Sequence, residues 1–219
     1  MRIFSLPSIR FLGLLLGADC VFMAITAVYQ FTDLISFDFY STDTDRGYGE
    51  VFQYIKEFWI ILLLFLFYLR NRQWIYLIWC SLFGYLLMDD FFMIHEDMGE
   101  LAADFFHFLP HWGLRAKDFG ELLVSCFFGL PLLLIISLAY FQSSLIHKRI
   151  VKTLFWMLLV YIFFGMAVDM LHSVVFDIKF LEHIFVILED GGEMLVMSVI
   201  TWYVYVLHDD HNVENKNEG

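Results

Sequence analysis

Met88-Asp89-Asp90-Phe91-Phe92-Met93-Ile94-His95-Glu96 closes an apolar run that begins at Trp74, and its reading decides the fold. At about 1.5 Å per residue, Trp74–Ile94 is long enough to cross the roughly 30 Å hydrocarbon core of a bilayer. Its far end nevertheless carries two aspartates, with a histidine and a glutamate directly beyond. An ionised carboxylate at the bilayer centre costs about 2.5–3.5 kcal/mol, so acids in such runs face a protein interior, pair, bind a cation or titrate. The stretch predicts a membrane helix that ends in a polar site.

Five further runs repeat the apolar pattern: Phe11–Phe31, Val51–Leu69, Glu121–Phe141, Thr153–Val175 and Ile184–Leu207. With 60% apolar residues, 20% aromatics and a mean hydropathy of +0.70, the chain lies outside the soluble globular range. Six runs leave too little sequence for a soluble domain. The expected fold is all-α: a polytopic membrane protein whose residues 1–207 form one six-transmembrane-helix bundle with short loops. A disordered cytoplasmic tail, 208–219, follows. Arg70-Asn71-Arg72 is so short a connection that runs two and three must form an antiparallel hairpin. The longest connection, His95–Gly120, sets apolar side chains from Leu101 to Leu109 beside Asp104 and His107 before Pro110 stops them, which predicts one interfacial helix. The first run follows Arg2 and Arg10 as a signal peptide would, but no small-x-small cleavage pattern follows it, so it is read as a retained helix. Cys20, Cys80 and Cys126 are isolated and give neither a disulfide framework nor a thiol redox motif.

Charge sets the orientation. Arg2, Arg10, Arg70, Arg72, Lys148, Arg149, Lys152 and Lys216 fall on one side of the threaded bundle, against Arg46, Arg115, Lys117 and Lys179 on the other. The excess places both termini in the cytoplasm of a plasma or bacterial inner membrane. Of the 25 acidic residues, twelve lie in the outer connections, nine in the runs and four in the tail. Such an outer face attracts cations and repels nucleic acid.

The acids within the runs converge in depth. Glu57, Asp89, Asp169 and Glu189 each lie roughly 8–10 Å beneath the outer edge, with Glu193 deeper and Glu121 at the rim. On an uninterrupted third helix, Asp89 and Glu96 share a face while Asp90 and His95 project elsewhere. Asp169 and His172, three apart, can reach one centre. Carboxylates with a few histidines on facing helices are what an oxygen-preferring or borderline divalent cation requires, with Zn, Fe and Mn equally compatible. The expected ligands are Asp89, His95, Glu96, Asp169, His172, Glu189 and Glu193. Glu57, Asp90, Glu121 and Asp190 are expected to support them by hydrogen bonding or to act as a proton relay.

The leading functional expectation is a metal-dependent membrane hydrolase or oxidoreductase acting on a lipidic or membrane-delivered substrate, with membrane lipid as its surroundings. A cation or proton transporter using the carboxylates as a relay is the first rival, and a structural membrane subunit the second. Eight histidines without an HxxHH motif do not fit the histidine-box desaturases and hydroxylases. Two smaller readings complete the set: Lys56 pairs with one acid in a structural role, and Gly191-Gly192 permits close helix packing. Asp19, alone near the middle of the first run, fits a helix-contact hydrogen bond as well as a functional role.

Overall fold

The computed structural model describes residues 6–32, 34–35, 37–42, 44, 46–175 and 179–217, the side chains of 175, 179 and 209–217 excepted. Among the described residues all the regular elements are helices, joined by short turns, and there is no strand. α1 is Leu6–Phe31, α2 Tyr48–Asn71, α3 Trp74–Phe92, α4 Ile94–Phe106, α5 Ala116–Gln142 and α6 Leu145–Ile162. A π-helical segment, Phe163–Val168, joins α6 to α7, Asp169–Val175, and α8 runs from Lys179 to Asn217.

Five of these helical stretches are long and apolar enough to cross a membrane: α1, α2, α3, α5, and the continuous Leu145–Val174 stretch of α6 and α7. α8 is not among them, and its packing gives the reason. It touches α1, α2, α6 and the π-helical segment, and it buries Met197, Ser198, Ile200, Thr201 and Trp202. A helix surrounded by protein needs no lipid-compatible coat, so it can carry polar side chains that a lipid-facing helix avoids. Most of the lipid-compatible coat lies on the other helices, where Leu14, Phe58, Leu62, Phe127 and Leu134 are exposed, and α8 adds Phe180, Ile184 and Leu188 near its start.

Contacts run from α2 to α3, α3 to α5, α5 to α6, α6 to α8, and α8 back to α2. These helices close a ring, while α1 packs outside it against α8 and α2. Ile60, Leu64, Trp79, Phe83, Leu154, Leu158, Met197 and Ile200 fill one half of the ring with apolar side chains. The polar site occupies the other half.

The α2–α3 hairpin forms as the sequence predicts, and Arg72 takes a left-handed conformation (φ 53°) to end α2. Three departures from the sequence reading matter. The third run is not continuous, because Met93 adopts φ 55°, ψ 38° and separates α3 from α4. The fifth run is interrupted by the π-helical segment. Finally, α8 continues through Asn217, over residues the sequence reads as a disordered tail. Adding a residue to an established helix needs no new nucleus, so polar residues can prolong it; Glu218 and Gly219 lie outside the described residues.

Candidate functional site

A cavity of about 940 Å³ lies inside the ring. α2, α3, α5, α6, α7 and α8 all line it, whereas α1 contributes no side chain. Asp89, Asp90, His95, Glu96, Glu121, Asp169, His172, Glu189, Asp190 and Glu193 face this one space. Glu57 does not line it; its carboxylate is fully buried within hydrogen-bond reach of Asp90. Leu86, Leu122, Leu133, Ile162 and Met170 supply an apolar wall beside the acids.

Asp89, Asp90 and His95 each present a ligand atom, all within 4.8 Å of one another. The left-handed turn at Met93 makes this possible. Asp89 Oδ1 accepts the His95 backbone N–H at 2.9 Å, satisfying a donor of the first turn of α4, and Asp89 Oδ2 lies 3.3 Å from His95 Nδ1. The chain therefore doubles back on itself. An uninterrupted helix puts Asp90 and His95 away from Asp89; the break at Met93 removes that premise, and the grouping of Asp89 with Glu96 gives way to Asp89, Asp90 and His95. Burial disfavours the His95 imidazolium. The close approach of His95 Nδ1 to the Asp89 carboxylate and the charges of Asp89, Asp90 and Glu96 outweigh it and push the histidine up to about 9.

The other expected ligands form separate groups around the same cavity. His172 Nδ1 lies 3.0 Å from Glu189 Oε2, while His172 Nε2 is buried without a hydrogen-bond partner. Asp169 lies among Asp118, Arg115, His172 and Lys117. Arg115 donates to Asp118 from its backbone N–H (2.7 Å) and from Nε (2.9 Å), and its Nη2 reaches Ser173 Oγ at 3.0 Å. That fan of bonds ties the start of α5 to α7. Glu121 pairs with Lys117 at 3.3 Å, and Asp190 accepts the Thr42 hydroxyl at 2.9 Å. Glu193 Oε2 accepts Gln53 Nε2 at 3.3 Å.

Glycines set the spacing of these groups. A Cβ on Gly165, in the π-helical segment, would collide with Glu193 Oε1, so that carboxylate rests against bare backbone. Gly191 meets Met23 and Gly192 meets Phe164 in the same way, which is the close packing expected of the pair.

Lys56 finds its acid on α1. Its Nζ lies 2.9 Å from Asp19 Oδ1, 2.8 Å from Met194 O and 3.3 Å from Ser198 Oγ, and Ser198 also donates to Asp19. Both charges are fully buried. This is a closed ion pair beneath the cavity.

Two cavity residues escape the sequence reading. Gln53 stands one turn before Glu57 on α2, so the i,i+4 spacing alone could have found it. Tyr161, whose hydroxyl lies 3.5 Å from Asp90 Oδ2, sits in an apolar run with no local signal.

Fold and site define an all-helical membrane protein with an acidic and histidine cluster inside its bundle. The chain belongs to the family described as Domain of unknown function (DUF8692), which matches residues 9–208. No curated protein and no solved structure matches the chain.

Proposed function

We propose that this protein is an integral membrane enzyme that binds a divalent cation at Asp89, Asp90 and His95 and acts on a lipidic or membrane-delivered substrate in the adjoining cavity. The observation that carries the reading is the convergence of three ligand atoms of those residues within 4.8 Å. Two carboxylates and one imidazole form a mixed oxygen and nitrogen set suited to Mn, Fe or Zn. A divalent ion bound there would lower the pKa of water or polarise a substrate oxygen. The cavity juxtaposes acids with Leu, Ile and Met side chains, which suits an amphiphile with a polar head and an apolar tail. Glu189 fixes the proton of His172 on Nδ1, leaving Nε2 to accept a proton or join a ligand set. Asp169, Glu96, Glu189 and Glu193 complete the negative wall, with Glu121 and Asp190 as hydrogen-bonding support and Glu57 buried behind Asp90.

In this reading α8 is the sixth span, residues 1–207 form a single membrane domain, and both termini face the cytoplasm. α4 lies at the outer interface: Leu101, Phe105 and Phe106 are exposed, and the helix packs through Gly99 and Ala103 onto α5.

A second reading, cation or proton transport, draws on the polar series Asp90, Glu57, Lys56 and Asp19, which leads from the cavity into the bundle. Past Ser198 that series meets Ile60, Leu64, Met197 and Ile200, all buried and apolar, which favours a one-sided pocket. Metal analysis of the purified protein tests the proposal. Stoichiometric metal in the wild type, lost in Asp89→Ala and His95→Ala with the fold retained, is expected. Background metal in the wild type would leave the structural-subunit alternative standing.

A further inference from the structure

We propose that a position just behind the cavity wall, between Asp90 and the buried Glu57, binds a second divalent cation, held by oxygen atoms alone, with Asp90 bridging it to the ion at Asp89 and His95. The inference rests on the reading of Asp89, Asp90 and His95 as a metal site, and it assigns Glu57, Gln53 and Glu193 to the second position.

Glu57 is the first observation. It is 0% exposed, and neither carboxylate oxygen receives a hydrogen bond. Its neighbour Lys56 is not the missing partner, because that ammonium is committed to Asp19, the Met194 carbonyl and Ser198. The group within hydrogen-bond reach of Glu57 is another carboxylate, Asp90. Two carboxylates in contact inside a protein repel and leave each other undonated, so something positive belongs between them.

Gln53 is the second. It is 6% exposed, and its Oε1 is buried without a donor. Reversing the amide does not cure this, since Nε2 donates to Glu193 Oε2 at 3.3 Å and a flipped amide would set oxygen against carboxylate. The carbonyl oxygen is therefore left without a donor.

A donor count around this point comes out short. Tyr161 has one proton to give, and its hydroxyl stands within reach of Asp90, Glu193 and Gln53. Against it stand the two oxygens of Glu57, an oxygen of Asp90, Gln53 Oε1 and Glu193 Oε1, the Gln53 amide N–H being spent on Glu193 Oε2. Oxygen-only donors of this kind suit Mg, Mn or Ca, whereas the imidazole at the first position admits softer ions. The charges balance as well: Glu57, Asp89, Asp90 and Glu193 carry four negative charges, and two divalent ions carry four positive ones. A carboxylate bridge between such ions holds them about 3.5–4 Å apart, as in two-metal sites.

The rival occupant is a proton shared by Glu57 and Asp90. Full-length protein in detergent, stripped of metal, reloaded with Mn(II) and freed of excess ion, separates the two by metal count and electron paramagnetic resonance. The expected wild-type result is two Mn per chain with a spin-coupled spectrum, and Glu57→Gln should retain one Mn with the spectrum of an isolated ion. One uncoupled Mn in the wild type, unchanged in Glu57→Gln, would overturn the second site and leave the first standing. Two Mn without coupling would overturn the Asp90 bridge, and no Mn in the wild type would overturn both readings. The wild-type count and spectrum decide the question even where the variant does not fold.

Discussion

Asp19 and Lys56 show how a charge becomes tolerable inside the bundle. Each is fully buried, and the ammonium also reaches a carbonyl and a serine hydroxyl, so every donor has an acceptor. Removing one member of such a pair strands the other. Lys56→Met is expected to destabilise the folded protein by about 3–5 kcal/mol, read as a fall in thermal midpoint in detergent. The double change of Lys56→Met with Asp19→Leu should recover much of that loss. Neither variant removes a group assigned to either ion, so the metal count per folded chain should stay the same.

His95 provides a residue-scale test of a different kind. Raised to about 9, it is protonated at neutral pH in the metal-free protein and must release that proton to become a ligand. Apparent metal affinity should therefore rise from pH 6 to pH 9 and level off above. Calorimetry in buffers of different ionisation enthalpy should detect the released proton at pH 7 and lose it in His95→Ala. The stability of the metal-free protein carries the opposite sign. A raised histidine stabilises the fold fully below its unfolded value of about 6.5, and that contribution disappears as pH rises through 9.

At the scale of elements, two irregularities build the site. Met93 takes a left-handed conformation that costs a non-glycine residue roughly 1–2 kcal/mol, and only through it does His95 return to Asp89. The π-helical segment brings Gly165 against Glu193, in keeping with the recurrence of such segments at functional sites. The acids themselves were legible from sequence, since each interrupts an apolar run, and so was their delivery by several helices to one region. The ligand grouping was not. Helical spacing assumes an unbroken helix, and nothing in Phe92-Met93-Ile94 marks a left-handed turn. Likewise, no local pattern announces that Asp19 on the first helix belongs to Lys56 on the second, because that contact is made only by packing. Gly165→Ala follows from the element picture: the added methyl must displace the Glu193 carboxylate, an overpacking change in the range of about 1–3 kcal/mol. The variant is expected to weaken metal binding at the second position while the Asp89, Asp90 and His95 position still loads. Competition with a chelating dye would read the two affinities separately, and two unchanged affinities would exclude a role for the Gly165 notch.

The whole molecule is asymmetric across the bundle axis, and that asymmetry discriminates between enzyme and transporter. One half of the ring is an acid-lined cavity; the other is filled by Ile60, Leu64, Trp79, Phe83, Leu154, Leu158, Met197 and Ile200. An ion leaving the cavity inward would have to shed its hydration among side chains that offer no replacement oxygen, a desolvation cost of several kcal/mol even after relaxation. Proteoliposomes loaded with a metal-sensitive dye should therefore show no uptake of Mn(II) or Zn(II) above that of empty vesicles, with or without a proton gradient. The proposed orientation, argued from the excess of basic residues on one side, opens the cavity to the outer face. Cysteines placed singly at Trp112 and Ser144, in a background lacking Cys20, Cys80 and Cys126, should label from opposite sides of the membrane. Trp112 should react with an impermeant maleimide added outside intact cells, and Ser144 only after permeabilisation. Reversed labelling would turn the cavity toward the cytoplasm and undo the placement of the termini there, while sustained metal flux would make the apolar half of the ring a gate and the carboxylates a pathway.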